Sequence, residues 1–422
     1  MTRKIGIIGL GHVGATLAHS MILKHTCDHL VLIDTNEKKV KADALDFCDT
    51  VANTGYPVHI TVNDYAALKD ADVVVSTLGN IELQANNTDD RFAELPFTSK
   101  QVVQVARDLK ASGFSGVLLV VTNPVDAVTQ LYQQYTGLPK EQVIGTGTLL
   151  DTARMKRAVA DRLQVSPASV SGYNLGEHGN SQFVAWSQVR VKGHAITDLF
   201  SQEELDAINY ESLRGGHTVF FGKFYTNFGI AAAAQRLAEA VINDSHEEMP
   251  VSNYRPEYGT YLGYPAIVGR KGIIERLDLH LTEEEKDIYE EIKENKEKAL
   301  IKNIDRYKLI LTNILIAITS IIYLWLVVGL GNSLNTITFL SNMKTLIIIE
   351  IIAVVVMFEI ANKRESKTLF LHSIESFIMT SFTMILYGLF GRENQNIRFF
   401  VLGMVAIIYY VVKSLIIKFK KV

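Results

Sequence analysis

The chain has 422 residues, with 42 Lys and Arg against 45 Asp and Glu and a formal net charge of −3. The charge is unevenly spread: residues 1–298 hold 29 basic and 39 acidic side chains, and residues 299–422 hold 13 and 6. The acidic first part argues against nucleic acid as a partner, and the two cysteines, Cys27 and Cys48, exclude a disulfide framework and stand in no metal-ligand spacing.

Lys4 to Ile8 has the character of a short buried strand. The opening Met1-Thr2-Arg3-Lys4 mimics a signal peptide, but Gly9, Gly11 and Gly14 directly after the strand point instead to a nucleotide-binding turn. Val13 to Leu23 has helical spacing, with Val13, Leu17 and Met21 recurring every four residues. Leu30 to Ile33 is a second strand ending at Asp34. Asp72–Leu78 and Val117–Thr122 are further β-branched runs, with helical stretches such as Ser99–Lys110 between them. This β-α-β alternation predicts an α/β fold, a Rossmann-type doubly wound parallel sheet. A mixed α+β catalytic lobe begins near Gly145. It includes a strand from Phe183 to Val191 and closes in a charged helix, Thr282–Lys298, with Thr282 and Glu285 spaced as a capping box.

Beyond Asp305 the composition changes. Four apolar segments follow, Leu309–Leu330, Thr345–Ala361, Leu369–Phe390 and Ile397–Phe419. At 1.5 Å per residue the first reaches about 33 Å, enough to cross a bilayer core, and the second reaches about 25 Å, which is marginal. They predict an all-α four-helix transmembrane region with the lipid bilayer as partner. Lys302, Arg306 and Lys308 precede the first segment, Lys363, Arg364 and Lys367 separate the second from the third, and Lys418, Lys420 and Lys421 close the chain. The positive-inside bias then puts the catalytic part and both termini in the cytoplasm of a multi-pass cell-membrane protein. The expected domains are 1–145 for the dinucleotide, 146–300 for catalysis and 301–422 for the membrane. Glu350, inside the second segment, reads either as an ion or proton site or as a protonated side chain between helices.

The Gly9-x-Gly11-x-x-Gly14 motif has the context its mechanism requires. Gly9 permits a tight turn, Gly11 lets the backbone approach a pyrophosphate, and Gly14 lets helix and strand pack closely. Asp34 lies twenty residues after Gly14, where a carboxylate accepts hydrogen bonds from ribose hydroxyls and repels a 2′-phosphate. The expected cofactor is NAD rather than NADP, and no metal is expected.

Reduction of a 2-oxo acid needs a polarised carbonyl, a proton for its oxygen and a grip on its carboxylate. His178 can carry the proton, and Asp151 can orient its ring and stabilise the imidazolium. Arg154, three residues after Asp151, shares its helix face and presents a fork that matches a carboxylate. The runs Ser76–Asn80, Gly145–Arg154 and Ser171–Trp186 carry a wider likeness: residues 1 to about 300 resemble the L-lactate/malate dehydrogenase family, and within it the L-2-hydroxyisocaproate dehydrogenases. That resemblance implies His178 as acid/base with Asp151 as partner, and Arg154 as the carboxylate ligand. It further implies that Arg91 polarises the carbonyl from a closing loop, that Asn123 contacts the reacting carbonyl beside the cofactor, and that Thr226 lines the pocket. It also implies a homo-oligomer, dimer or tetramer.

The segment from Asn80 to Glu94 contains one arginine, Arg91, and an acidic pair, Asp89 and Asp90. A dicarboxylate would need a second cation there, and Gln84 occupies that part of the loop, so monocarboxylic 2-oxo acids of the 2-oxoisocaproate kind are expected. Phe224, beside Thr226, is expected to narrow the pocket and favour pyruvate. Three functions stay open: a membrane-tethered 2-hydroxy acid dehydrogenase, the same chemistry as an L-lactate dehydrogenase, and a membrane transport or sensor protein with a dinucleotide-binding domain. The intact set of His178, Asp151, Arg154, Arg91 and Asn123 favours catalysis, since a sensor needs no proton carrier.

Overall fold

The computed structural model describes residues 2–80, 94–179 and 181–292. They all belong to the first of the two units into which the chain divides, Met1–Asn303. Six parallel strands come first: β1 (Lys4–Ile8), β2 (His29–Ile33), β3 (His59–Val62), β4 (Val73–Ser76), β5 (Val117–Val120) and β6 (Val143–Gly145). Their order across the sheet is β3-β2-β1-β4-β5-β6, with every neighbouring pair parallel. This is the doubly wound arrangement, which puts a ligand crevice at the carboxyl ends of β1 and β4 where the strand order reverses.

The strands read as unbroken apolar runs because both faces are covered. Leu30 and Leu32 pack with helices α1 (His12–Leu23) and α2 (Glu37–Thr54), while Val31 and Ile33 turn to the face carrying α3 (Leu95–Ser112) and α4 (Val125–Thr136). Ile5 and Ile7 follow the first side and Ile8 the second. Helix ends follow their local chemistry. Asn36 caps α2 through the Lys39 N–H, and Gly55, Gly113 and Gly137 end α2, α3 and α4 with φ near +75 to +80°.

The catalytic lobe starts with α5 (Leu149–Leu163), followed by α6 (Gln202–Lys223) and α7 (Phe228–Ile242). Its long strands do not form a sheet of their own. Three antiparallel strands, β12 (Glu247–Arg255), β13 (Thr260–Gly269) and β14 (Gly272–Arg276), extend the parallel sheet from β6 and make nine strands in all. Between α5 and α6 lie five two-residue strands, β7 (Val170–Ser171), β8 (Asn174–Leu175), β9 (Phe183–Val184), β10 (Arg190–Val191) and β11 (His194–Ala195).

The single strand expected from Phe183 to Val191 is therefore broken. A 3-10 turn, Trp186–Gln188, separates β9 from β10. The Ser187 N–H and hydroxyl donate to Glu285 at 3.1 and 2.6 Å, so that backbone group is spent on a distant carboxylate and not on a ladder. Glu285 is the same side chain that completes the expected capping box. It accepts the Thr282 N–H and its own N–H donates to Thr282 Oγ1, at the start of the helix described over residues 283–292.

Among the described residues no helix is long and apolar enough to cross a membrane. The four apolar segments between Leu309 and Phe419, with Glu350, lie outside the described residues.

Candidate active site

The turn between β1 and α1 is shaped by its glycines. Gly9 has φ +95°, a conformation open to glycine. A Cβ on Gly14 would come 1.9 Å from the Gly9 carbonyl oxygen and 2.7 Å from Thr77 Oγ1, so only glycine lets α1 close on the turn. A Cβ on Gly11 would meet no protein atom within 4 Å; this face of the turn is open, as the approach of a pyrophosphate demands. The first turn of α1 carries no acidic residue, which leaves its positive end to an anion. Asp34 lies at the end of β2, where Oδ2 accepts the Leu10 N–H at 2.6 Å and Oδ1 accepts the Asn36 N–H at 2.8 Å. The carboxylate is thus tied to the turn it would serve, and the residues fit a dinucleotide.

Across the crevice, His178, Arg154 and Gln182 meet at the carboxylate of Asp151. Asp151 sits in the first turn of α5 and is 1% exposed. Its Oδ2 lies 2.6 Å from His178 Nδ1, and its Oδ1 accepts Arg154 Nη1 at 2.9 Å. Burial pushes the Asp151 carboxyl up, but the charge and hydrogen bond of His178, the charge of Arg154 and a hydrogen bond from Gln182 outweigh it and hold the group at about 2. The Nδ1 contact leaves His178 Nε2 as the nitrogen free to exchange a proton with a ligand.

The loop that carries His178 is anchored from two sides. Gly176, at φ +94°, exchanges backbone hydrogen bonds with Gly263 of β13 at 3.0 and 2.9 Å. The His178 N–H donates to Asp126 Oδ2 at 3.0 Å, and Asp126 also accepts the Ser252 hydroxyl at 2.5 Å. Asp126 is 2% exposed and lies in the first turn of α4. One buried carboxylate thus links the dinucleotide half to the loop of the proton carrier.

These groups open on a cleft of about 240 Å³, which Asn123, Asp151, Arg154, His178 and Thr226 all line. The cleft thus gathers five of the seven expected catalytic and substrate-binding residues; Arg91 and Gln84 lie outside the described residues, and Gly9, Gly11, Gly14 and Asp34 belong to the β1–α1 turn and do not line it. The segment holding them is flanked by a contact of its own, the Asn80 N–H donating to buried Glu94 at 3.0 Å. A Cβ on Gly216 would come 3.4 Å from both Arg154 Nη atoms, so helix α6 passes the guanidinium closely and without a side chain.

The expectation for Phe224 is corrected. It ends α6 at φ +63°, is 70% exposed and does not line the cleft, because the left-handed cap turns its side chain to solvent. The aromatic lining comes from Phe220 and Phe221 one turn earlier. Sequence reasoning also missed Gln182 and His217, which line the cleft as well. The spacing of Gln182, four residues after His178, and the helical stripe Leu213, Gly216, His217, Phe220, Phe221 were the available signals.

Comparison with known proteins agrees with this geometry. Residues 3–145 match the lactate/malate dehydrogenase NAD-binding domain, and residues 148–308 match the lactate/malate dehydrogenase alpha/beta C-terminal domain. L-lactate dehydrogenase 3 of Bacillus cereus is 37% identical over 295 residues, which is 67% of this chain and 92% of that protein. L-lactate dehydrogenase of Staphylococcus saprophyticus is 35% identical over 297 residues, 68% of this chain and 92% of that one. Among solved structures, the minor L-lactate dehydrogenase of Enterococcus mundtii in its ligand-bound form has a TM-score of 0.67 and 33% identity, covering 72% of this chain and 98% of that chain.

Proposed function

The chain belongs to the lactate/malate dehydrogenase family, and we propose that, as the NAD-dependent 2-hydroxy acid dehydrogenase this makes it, it reduces monocarboxylic 2-oxo acids of the 2-oxoisocaproate kind. The observation that carries this reading is the junction at Asp151, where a proton carrier and a carboxylate-binding guanidinium share one buried anion.

When bound, the reduced nicotinamide supplies the hydride that reaches the carbonyl carbon. His178 Nε2 gives its proton to the carbonyl oxygen, and Asp151 stabilises the imidazolium before that transfer. Arg154 holds the substrate carboxylate with the part of its fork that Asp151 does not use. Asn123 orients the carbonyl and Thr226 bounds the pocket, while the roles of Arg91 in polarising the carbonyl and of Gln84 in binding substrate rest on the sequence alone. Gly9, Gly11, Gly14 and Asp34 bind the NAD pyrophosphate and ribose.

Monocarboxylates are favoured because the described lining offers one guanidinium among mostly apolar walls, including Leu150, Phe220, Phe221 and Ile230. A second carboxylate would be desolvated there without a fixed cation. The relatives named L-lactate dehydrogenase favour a second reading, in which pyruvate is the main substrate. Steady-state kinetics with NADH on pyruvate, 2-oxoisocaproate and oxaloacetate separates these readings. The highest kcat/KM is expected for 2-oxoisocaproate, and a preference for oxaloacetate would remove the monocarboxylate assignment.

The four apolar segments and their flanking lysines and arginines support anchoring of a homo-oligomeric enzyme to the cell membrane, active sites in the cytoplasm. Release of the full chain from membranes by alkaline carbonate would rule out integral insertion.

A further inference from the structure

Helix α6 ends at Lys223 and α7 begins at Phe228, and Thr226 lies in the loop between them with its place in the cleft wall. Both of its neighbours are held to α1, the helix that opens from the dinucleotide turn. The Tyr225 ring stacks on the ring of His12, the first residue of α1, with centroids 3.7 Å apart and planes 3° from parallel. Asn227, 8% exposed, donates through Nδ2 to Thr16 Oγ1 at 2.9 Å, and the Thr16 hydroxyl donates to the His12 carbonyl at 2.6 Å. Lys223 adds to the hold: Nζ donates to Asn227 Oδ1 at 2.5 Å and lies 4.7 Å from the centre of the Tyr225 ring. His12 directly follows Gly11, whose open face is the approach for a pyrophosphate. The N–H groups of this first turn have no partner within the helix and are the ones a phosphate takes.

We propose that the His12–Tyr225 stack is a positioning contact that couples the two halves of the site: filling of the dinucleotide turn fixes Thr226 in the cleft wall, and a substrate against Thr226 tightens the hold on the dinucleotide. The inference rests on the reading of turn and cleft as an NAD and 2-oxo acid site, and adds how one half reports to the other. A phosphate on the first-turn N–H groups orders the backbone at His12. Two rings in face contact pass a shift of one to the other with little slack, because packed side chains do not compress. Asn227 is tied to the same part of α1 through Thr16, so the segment 225–227 follows that helix as a unit. By linkage the effect runs both ways with the same factor. The fold itself makes little use of the stack. Helix α1 starts from Gly11 without a side-chain cap, so the imidazole is not spent on the helix end, and His12 is exposed with Tyr225 half-buried.

The test measures NADH affinity by fluorescence titration on the full chain, with and without oxamate, a monocarboxylate that has the shape of a small 2-oxo acid and accepts no hydride. Oxamate is expected to tighten NADH binding by about fivefold or more, the lower range of such couplings. Tyr225→Leu and His12→Ala should each bring that factor below about two, and the double variant should lose no more than either alone. Tyr225→Phe keeps the ring and should keep the factor. Thermal melts of the NADH-free chain read the alternative. A stack that only supports the fold would lower the melting temperature of Tyr225→Leu and leave the factor at its wild-type size, which overturns the proposal. A wild-type factor near one overturns it as well, even if no variant can be made. In either case reduction of pyruvate or 2-oxoisocaproate by the wild type leaves the dehydrogenase reading standing. Failure of NADH to bind at all removes that reading and this one together.

Discussion

Among the described residues two carboxyl groups are held at about 2, and they do different work. Asp28, beside the start of β2, pairs with Arg3 through Oδ1 at 2.7 Å and through Oδ2, with about a third of its side chain exposed. Its hydrogen bonds to Arg3 lower it. Asp151, in the catalytic lobe, is depressed against the full penalty of burial by His178 and Arg154. The surface pair lets water and counterions screen most of its energy. The buried group cannot lose a partner without leaving a charge in a dry site. Equal displacement from the ordinary carboxylate range therefore says little about function until burial and the identity of the partners are known.

The sharpest way to break this comparison is Asp151→Asn. It keeps the shape and removes the charge that orients and stabilises the His178 ring, so kcat is expected to fall by about 10²- to 10⁴-fold. NADH binding, measured by fluorescence, should change little. The same group links pH to stability. Its folded value is depressed from 3.8 to about 2, so its contribution, on the order of 2 kcal/mol, is present in full above about pH 4 and is lost as pH falls toward 2. Acid unfolding followed by circular dichroism should be shallower across that window in the Asn variant. An unchanged profile would mean that Asp151 is not the buried anion described here.

An intermediate effect is expected in the dinucleotide half, where the site is built from backbone. Gly14→Ala would drive a Cβ into the Gly9 carbonyl. Forced backbone movement of this kind costs about 1–3 kcal/mol, and NADH affinity should drop well before the melting temperature reaches that of a broken fold. Titration calorimetry beside a thermal melt reads both. Equal NADH affinity in the variant would show that this close approach does not shape the cofactor turn.

The smallest effect belongs to Asp28→Asn. An ion pair exposed to this degree contributes below about 1 kcal/mol, so the melting temperature should move by a few degrees at most and kcat not at all. A large loss of activity would contradict the division between the two carboxylates.

The dinucleotide half was legible because its signals are local. Val13, Leu17 and Met21 recur at a helical period, the strands are apolar runs, and Gly9 to Asp34 is a short stretch of chain in which turn, helix and carboxylate follow one another. The catalytic set was legible as residue types, His178 with Asp151 and Arg154, because proton transfer and carboxylate binding restrict which side chains can serve. Some features were decided by tertiary structure alone. The Asp126 link to the His178 backbone spans 52 positions, and the link from Ser187 to Glu285 spans 98. Burial makes each of these carboxylates seek a donor wherever the fold brings one, and no local period encodes that. Which face of α6 meets the cleft, and hence why His217 and Phe220 line it while Phe224 points to solvent, depends on how α6 packs beside α5 and where its last turn goes left-handed. Helical spacing marks out a stripe, but only the packed neighbour determines what the stripe faces.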